Sequence, residues 1–153
     1  MPQFFRVFGR NDVPTSPESL VEEVRRSYSE VTAHFRGDDL GWFEAHLLPD
    51  LDTPPILVER FLSKEDNIRS ELNTWAAWLE SVGDSAVHHQ LMQQVVTATQ
   101  LFTVHQPIEG IDELSVEATC VGLCQFLARA TEGIYQVDHR GFFAADGTLL
   151  VAE

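Results

Sequence analysis

Residues 112–153, DELSVEATCVGLCQFLARATEGIYQVDHRGFFAADGTLLVAE, read as one long apolar helix followed by a three-strand meander. Apolar residues lie around most of the circumference of the first half, which predicts a helix buried on more than one side. Asp112 is the expected N-cap, and Gly133 is expected to end the helix. The dipeptide Asp146-Gly147 between apolar runs indicates a hairpin turn. The expected strands are 134–137, 142–145 and 148–151, and the whole unit is expected to serve as the scaffold of the fold.

The N-terminal segment is expected to contribute a strand and then a helix. The sequence QFFRVF at 3–8 is rich in aromatic and β-branched residues, which is typical of a short strand. Thr15 or Ser16 can cap a helix whose first turn holds Pro17. Apolar residues then recur at spacings of three and four, which predicts a helix of about five turns that Gly37 ends. Those apolar positions are Leu20, Val24, Tyr28, Val31 and Phe35.

The segment 37–55 has the least regular pattern in the chain. Residues 40–48 are expected to form one or two helical turns. The stretch 50–55, DLDTPP, is expected to be a rigid acidic loop, because adjacent prolines restrict the backbone. Trp42 and Phe43 are expected to anchor the segment to the core. The alternative is an exposed aromatic contact for a partner.

The middle of the chain is expected to form two further helices. The stretch 56–62 fits either a strand or the approach to the next helix. A capping pattern at 63–66 introduces a helix that Gly83 ends. Asp84 can cap the next helix, which is expected to run to about residue 100, although the β-branched residues of 95–104 leave a strand as the alternative. The expected inward positions are Ile68, Leu72, Trp75, Leu79 and Val82 on the first helix, and Val87, Leu91, Met92 and Val95 on the second.

These elements predict an α+β fold, with about four helices packed on a small, mainly antiparallel sheet that ends in a C-terminal three-strand meander. A chain of 153 residues is expected to form a single α+β domain, 1–153. Its 44% apolar and 22% charged residues are ordinary for a globular protein. Cys120 and Cys124 fall on one helix face, where we expect small core residues rather than a disulfide or a zinc site.

Acidic residues dominate the chain, which has a net charge of −14. No lysine or arginine occurs between Arg69 and Arg129, and that interval holds Glu71, Glu80, Asp84, Glu109, Asp112, Glu113 and Glu117. A second acidic interval, 37–59, holds Asp38, Asp39, Glu44, Asp50, Asp52 and Glu59. Such a surface repels nucleic-acid phosphates and anionic lipids, so neither is an expected partner. It is compatible with a basic protein partner and also with simple solubility.

The sequence indicates a cytoplasmic protein. Its apolar runs are far shorter than the roughly 20 residues of a bilayer span. The stretch MPQFFRVFGRND at 1–12 has no apolar run of the length found in a signal peptide. The expected location is therefore the cytoplasm, without membrane attachment.

No motif fixes a reaction, so no catalytic residue and no cofactor is predicted. The six histidines include no His-x₃-His pair, and a metal site is not expected. If the chain does bind a metal, its best ligands are His88, His89 and His105 with carboxylates from elsewhere. Asp50 and Asp52 have the spacing of a magnesium-binding aspartate pair, but the flanking prolines argue against the buried strand that such a pair follows.

Two functions are compatible with these patterns. The first is a non-enzymatic protein-interaction module, which would be an adaptor, a specialised chaperone or an inhibitor of a basic partner. The alternative is a small metal- or ligand-binding enzyme whose site is built from dispersed histidine and carboxylate residues. A homodimer through the last strand or a helix face is a further expectation, because an exposed sheet edge invites pairing.

Overall fold

A computed structural model of the protein describes residues 3–107 and 113–153. Within them the chain forms four helices and eight strands, which confirms the α+β class. The helices are α1 Pro17–Arg25, α2 Asp66–Val82, α3 Ala86–Val96 and α4 Glu113–Ala130. The strands are β1 Gln3–Gly9, β2 Thr32–Asp38, β3 Gly41–Leu48, β4 Ile56–Leu62, β5 Gln100–Gln106, β6 Ile134–Val137, β7 Gly141–Ala144 and β8 Leu149–Ala152. None of the described helices is long and apolar enough to cross a membrane.

All eight strands belong to one antiparallel sheet in the order β2-β3-β4-β5-β1-β6-β7-β8. β1 lies inside the sheet between β5 and β6, a position that suits its aromatic and β-branched residues. The expected C-terminal meander is present as β6-β7-β8. In its last turn, Asp146 Oδ1 accepts the N–H of Thr148 at 2.9 Å, and Gly147 has a φ of 94°. Glycine adopts that left-handed conformation without strain.

α1 and α4 cover one face of the sheet. α4 contacts β1, β5 and β6, and α1 packs beside α4 over β2 and β3. Cys120 and Leu123 of α4 are fully buried in one cluster with Phe5 and Val104. Contact with both the sheet and α1 accounts for the broad apolar circumference of α4. The expected N-cap of this helix, Asp112, lies outside the described residues.

The α2–α3 hairpin covers only part of the opposite face. Leu72 of α2 and Leu91 of α3 belong to a buried cluster with Phe8, Leu101 and Ile134. These three strand residues are register partners near the C-terminal end of β1. Near the N-terminal end of β1, the same face of the sheet is in contact with solvent on strands β2, β3, β4 and β5.

The predicted first helix is too long. α1 begins at Pro17 but ends at Arg25, and β2 follows where the helix was expected to continue. Ala33 and Phe35 alternate toward the core along β2, so apolar residues that fitted a helical spacing also fit a strand. The ladder between β2 and β3 decides between the two, because it supplies hydrogen bonds that a sequence window does not contain.

Residues 40–48 form a strand instead of the expected helical turns. β3 pairs with β2 on one side and with β4 on the other, so its backbone groups are satisfied by the sheet. Trp42 is 5% exposed, which confirms that it anchors this segment to the core. Phe43 points the other way and is 36% exposed, so the same prediction for Phe43 is wrong.

The middle of the chain follows the prediction with shifted boundaries. The segment 56–62 is a strand, and α2 starts after Glu65, which makes no side-chain capping bond. Ser85 rather than Asp84 caps α3, because its Oγ accepts the N–H of His88. α3 ends at Val96, and the β-branched residues that follow form β5, so the expected continuation of the helix is wrong. Val82 and Val87 are exposed, although both were expected to face inward.

Candidate interaction surface

Two rows of side chains cross the part of the sheet that α2 and α3 leave exposed. The first row consists of register partners on β2, β3, β4, β5 and β1: His34, His46, Leu57, His105 and Phe4. The second row lies on the same strands: Arg36, Glu44, Glu59, Thr103 and Arg6. Side chains alternate along a strand, so both rows point away from the buried Ala45 and Val58. We name these ten residues the open face.

Glu44 and Glu59 lie at the centre of the open face. They are direct partners on β3 and β4, a position in which like charges destabilise a sheet. Glu44 accepts a hydrogen bond from Arg36 Nη1 at 3.2 Å, and its Oε1 lies 2.5 Å from His46 Nε2. Glu59 Oε1 lies 2.9 Å from His105 Nε2. Each carboxylate therefore has a histidine of the neighbouring row beside it.

A cleft opens where the ladder between β3 and β4 ends. Glu44 and Glu59 are the last pair of that ladder, and a cavity of about 220 Å³ lies beside them. Its lining carries the carboxylates of Asp38, Glu44, Glu59 and Glu65 and the apolar side chains of Leu40, Phe43, Phe61 and Leu62. Carboxylates beside aromatic rings suit a cation that is carried on an apolar stem. We name this cavity the carboxylate cleft.

Arg60 also lines the carboxylate cleft, although it is only 5% exposed. Burial lowers the pKa of Arg60, and the nearby carboxylates of Asp12 and Asp38 oppose that shift. Its guanidinium donates to four oxygen acceptors: Gln100 Oε1 at 2.7 Å and the carbonyls of Leu40 at 3.1 Å, Trp42 at 3.3 Å and Asp12 at 3.3 Å. These bonds tie the β2–β3 turn and the loop before α1 to the sheet. The role of Arg60 is therefore to hold the walls of the cleft in place.

Intramolecular contacts occupy the β1 end of the second row. Arg6 Nη1 donates to Asp138 Oδ1 at 2.7 Å and to Gln136 Oε1 at 2.9 Å. Its Nε donates to Glu71 Oε1 at 3.3 Å, and the guanidinium lies 4.8 Å from the centroid of the Trp75 ring. Because these groups already satisfy Arg6, the chemistry available to a partner is concentrated on β3 and β4.

The three histidines named from the sequence as metal candidates lie on two different elements. His88 and His89 are at the start of α3, where His88 Nδ1 lies 2.7 Å from Ser85 Oγ and His89 Nε2 lies 2.6 Å from Asp84 Oδ1. His105 belongs to β5 and the open face. Within 3–107 and 113–153, no three His, Cys, Asp or Glu side chains are grouped so as to hold a metal ion. The sequence did not predict a metal site, and these histidines stay untested as its candidate ligands.

The residues of the open face come from distant segments. The sequence named Glu44 and Glu59 as part of an acidic interval and His105 as a metal candidate, but it did not bring them together. The sequence does contain a sign of the open face. In Glu44-Ala-His46 and in Thr103-Val-His105, two polar residues are separated by one apolar residue, which places both polar side chains on one face of a strand. Comparisons with protein-family models, with curated proteins and with solved structures find no match to this chain. Its function is therefore inferred from the chemistry of the open face.

Proposed function

We propose that this protein is a non-enzymatic interaction module that binds a basic segment of a partner protein on its open face. The observation that carries the proposal is the direct pairing of Glu44 with Glu59 beside the carboxylate cleft. Two like charges on neighbouring strands destabilise the free protein. A lysine or arginine side chain from a partner, placed between them, would relieve that repulsion and strengthen binding.

The charge around the cleft favours a cation. Four carboxylates line it, and Arg60 is the one basic side chain among the described residues of that lining. Arg60 supplies one positive charge against four carboxylates, so the lining keeps an excess of acidic groups. The net charge of −14 adds a long-range attraction for basic partners, which raises the rate of association.

Arg36 illustrates how the open face holds a guanidinium. Its Nη1 donates to Glu44 Oε2 at 3.2 Å, and its Cζ lies 5.6 Å from the centroid of the Phe43 ring. The Arg36 side chain is 68% exposed, so little burial opposes its displacement. A partner's arginine would make the same two contacts and reach Glu59 as well. Exposed aromatic rings beside carboxylates are typical anchoring points for arginine.

An adaptor, a specialised chaperone and an inhibitor of a basic protein would each use such a surface, and the proposal covers all three. The proposal includes the cytoplasmic location that was expected from the sequence. It also keeps the expectation that nucleic acids and anionic membranes are not ligands, because the net charge of −14 repels both.

The test is the binding of a fluorescein-labelled peptide of alternating arginine and glycine residues, followed by fluorescence anisotropy. We expect binding at about 50 mM salt that weakens about tenfold at about 300 mM, because attraction between exposed charges is screened. Glu59→Gln keeps the size of the side chain and removes its charge. We expect this variant to bind the peptide roughly tenfold more weakly than the unchanged protein.

The matched control is Glu80→Gln, which removes one charge from the exposed surface of α2 and leaves the open face intact. We expect this control to bind like the unchanged protein. An equal loss of affinity in the two variants would mean that binding depends on net charge alone. That result would contradict the proposed site, as would a peptide affinity that salt does not change.

One observation favours the alternative function, a small metal- or ligand-binding enzyme. His34, His46 and His105 lie in one row, and the last two contact Glu44 and Glu59. Against this function, the row is open to solvent, whereas catalysis gains from the exclusion of water. Thermal unfolding with Zn²⁺, Mn²⁺ or Ni²⁺ separates the two functions. A rise in Tm that His46→Gln abolishes would support the alternative, and no rise would count against its metal-dependent form.

A further inference from the structure

We propose that the free edge of β2 binds an extended segment of another protein, which adds to the sheet as a further strand. β2 is an edge strand, and among the described residues it pairs with β3 alone. The backbone N–H and C=O groups on its other side can therefore pair with a partner's strand. The site lies at the edge of the sheet and beside α1, so this inference does not depend on binding at the carboxylate cleft.

Two shallow cavities of about 450 Å³ each lie on the α1 side of this edge. Pro17 and Phe35 line both cavities, which are therefore continuous, and we name them together the edge trough. Val21 and Ala33 line one half of the trough, and Trp42 lines the other. Ala33 and Phe35 are half-buried and alternate toward α1 along β2. An added strand would direct every second side chain into the trough in the same way, so those positions should be apolar.

Acidic residues surround the edge trough. The carboxylates lie at both ends of β2 and along α1: Glu30, Asp50 and Asp52 near its start, Asp38 at its end, and Glu18 and Glu22 on α1. Two arginines lie among the described residues of these linings, and both are in ion pairs, Arg25 with Glu22 and Arg36 with Glu44. The excess of carboxylates favours a segment whose apolar positions are flanked by basic residues.

The length and charge of the edge also restrict what can bind there. The register of β2 against β3 is continuous over 32–36 and shifts between Arg36 and Gly37. A bulge bends a strand, so a partner would pair with about five residues, which is the length of a typical strand. Two β2 edges of a dimer would bring two acidic troughs together, and their repulsion disfavours that pairing. A strand of a different protein is the occupant that these features favour.

The test uses a fluorescein-labelled peptide of alternating valine and threonine residues with two lysines at each end, and binding is followed by fluorescence anisotropy. We expect a dissociation constant on the order of 50 µM at low salt, and weaker binding as salt screens the lysines. Glu59→Gln should bind this peptide like the unchanged protein, because Glu59 lies on β4 and outside the edge trough. The outcome is thus separate from that of the arginine peptide.

Two N-methylated forms of the peptide test for backbone pairing. Successive residues of a strand direct their N–H groups to opposite sides, so only alternate residues of the peptide would donate to β2. Methylation of every valine N–H and methylation of every threonine N–H should therefore differ. We expect one form to bind like the unmodified peptide and the other to bind at least about tenfold more weakly. Equal affinities of the two forms would overturn strand addition.

Val21→Lys places a positive charge in the edge trough and should weaken peptide binding at least about tenfold. The matched control is Val82→Lys, which makes the same substitution on α2 at a position that is 46% exposed. We expect the control to bind like the unchanged protein, and circular dichroism checks that both variants are folded. Equal effects of the two substitutions would overturn the proposed site. A peptide that does not bind at about 500 µM protein would overturn it as well.

Discussion

Glu44 on β3 and Glu59 on β4 are direct register partners, so two carboxylates meet across neighbouring strands at the end of their ladder. A sheet gains nothing in stability from this arrangement, because like charges in opposed positions repel. The arrangement is explained if the site is used by a ligand that supplies positive charge. Natural binding sites often retain such locally destabilising groups because function requires them.

Neutralising one of these carboxylates is expected to stabilise the free protein. Glu59→Gln removes the repulsion with Glu44 and leaves a side chain that can still accept a hydrogen bond from Thr103. We expect the free energy of unfolding to rise by about 0.5 kcal/mol, the range of cross-strand charge effects. Urea denaturation at pH 8 measures the change. The same variant is expected to lose peptide affinity, so its stability and its binding should move in opposite directions.

Glu80→Gln again serves as the control and should change the unfolding free energy by less than about 0.5 kcal/mol. A loss of stability above about 1 kcal/mol in Glu59→Gln would mean that the contact between Glu59 and His105 is structural. In that case the repulsion with Glu44 would not be the dominant interaction of this carboxylate.

Arg60 is expected to be essential for stability. Its replacement by methionine would leave Gln100 Oε1 and three backbone carbonyls without their donor inside the protein. We expect a loss of about 3 kcal/mol in the free energy of unfolding. Arg60→Lys keeps the charge but cannot reach the same acceptors with one ammonium group, so we expect an intermediate loss. Arg129→Met changes an exposed arginine of α4 and should stay within about 0.5 kcal/mol of the unchanged protein.

The C-terminal unit was predictable because its signals are local. The apolar circumference of α4 and the turn at Asp146-Gly147 each depend on a few neighbouring residues, and both are present in the structure. The same holds for β1, whose composition alone indicates a strand. Local patterns suffice where the tertiary structure agrees with them.

β2 and β3 could not be predicted in the same way. Phe35 falls at a helical spacing from Val31, yet it also alternates inward with Ala33 along a strand. The choice depends on hydrogen bonds between β2, β3 and β4, and these connect residues that no short window contains. The pairing of Glu44 with Glu59 could not be predicted for the same reason, since only the register between β3 and β4 places the two residues side by side.

The stability of the protein is expected to fall at alkaline pH because of its two buried thiols. Burial raises the pKa of Cys120 from 9.0 to about 12, and it also raises the pKa of Cys124. The folded protein therefore keeps protons that the unfolded chain releases above pH 9. The stabilisation from the Cys120 thiol is complete below that pH and is lost as the pH rises toward 12. Between about pH 8 and 10.5 the loss from Cys120 is about 2 kcal/mol.

Cys120→Ala isolates this effect, since it removes one titrating group from α4. The variant should be less stable than the unchanged protein at pH 8, because a buried side chain has been trimmed. Its unfolding free energy should then fall by about 2 kcal/mol less between about pH 8 and 10.5, as measured by urea denaturation under reducing conditions. Val121→Ala trims a neighbouring side chain that does not titrate, and it should follow the pH dependence of the unchanged protein. Equal slopes for Cys120→Ala and the unchanged protein would mean that the thiol ionises in the folded state, which its complete burial argues against.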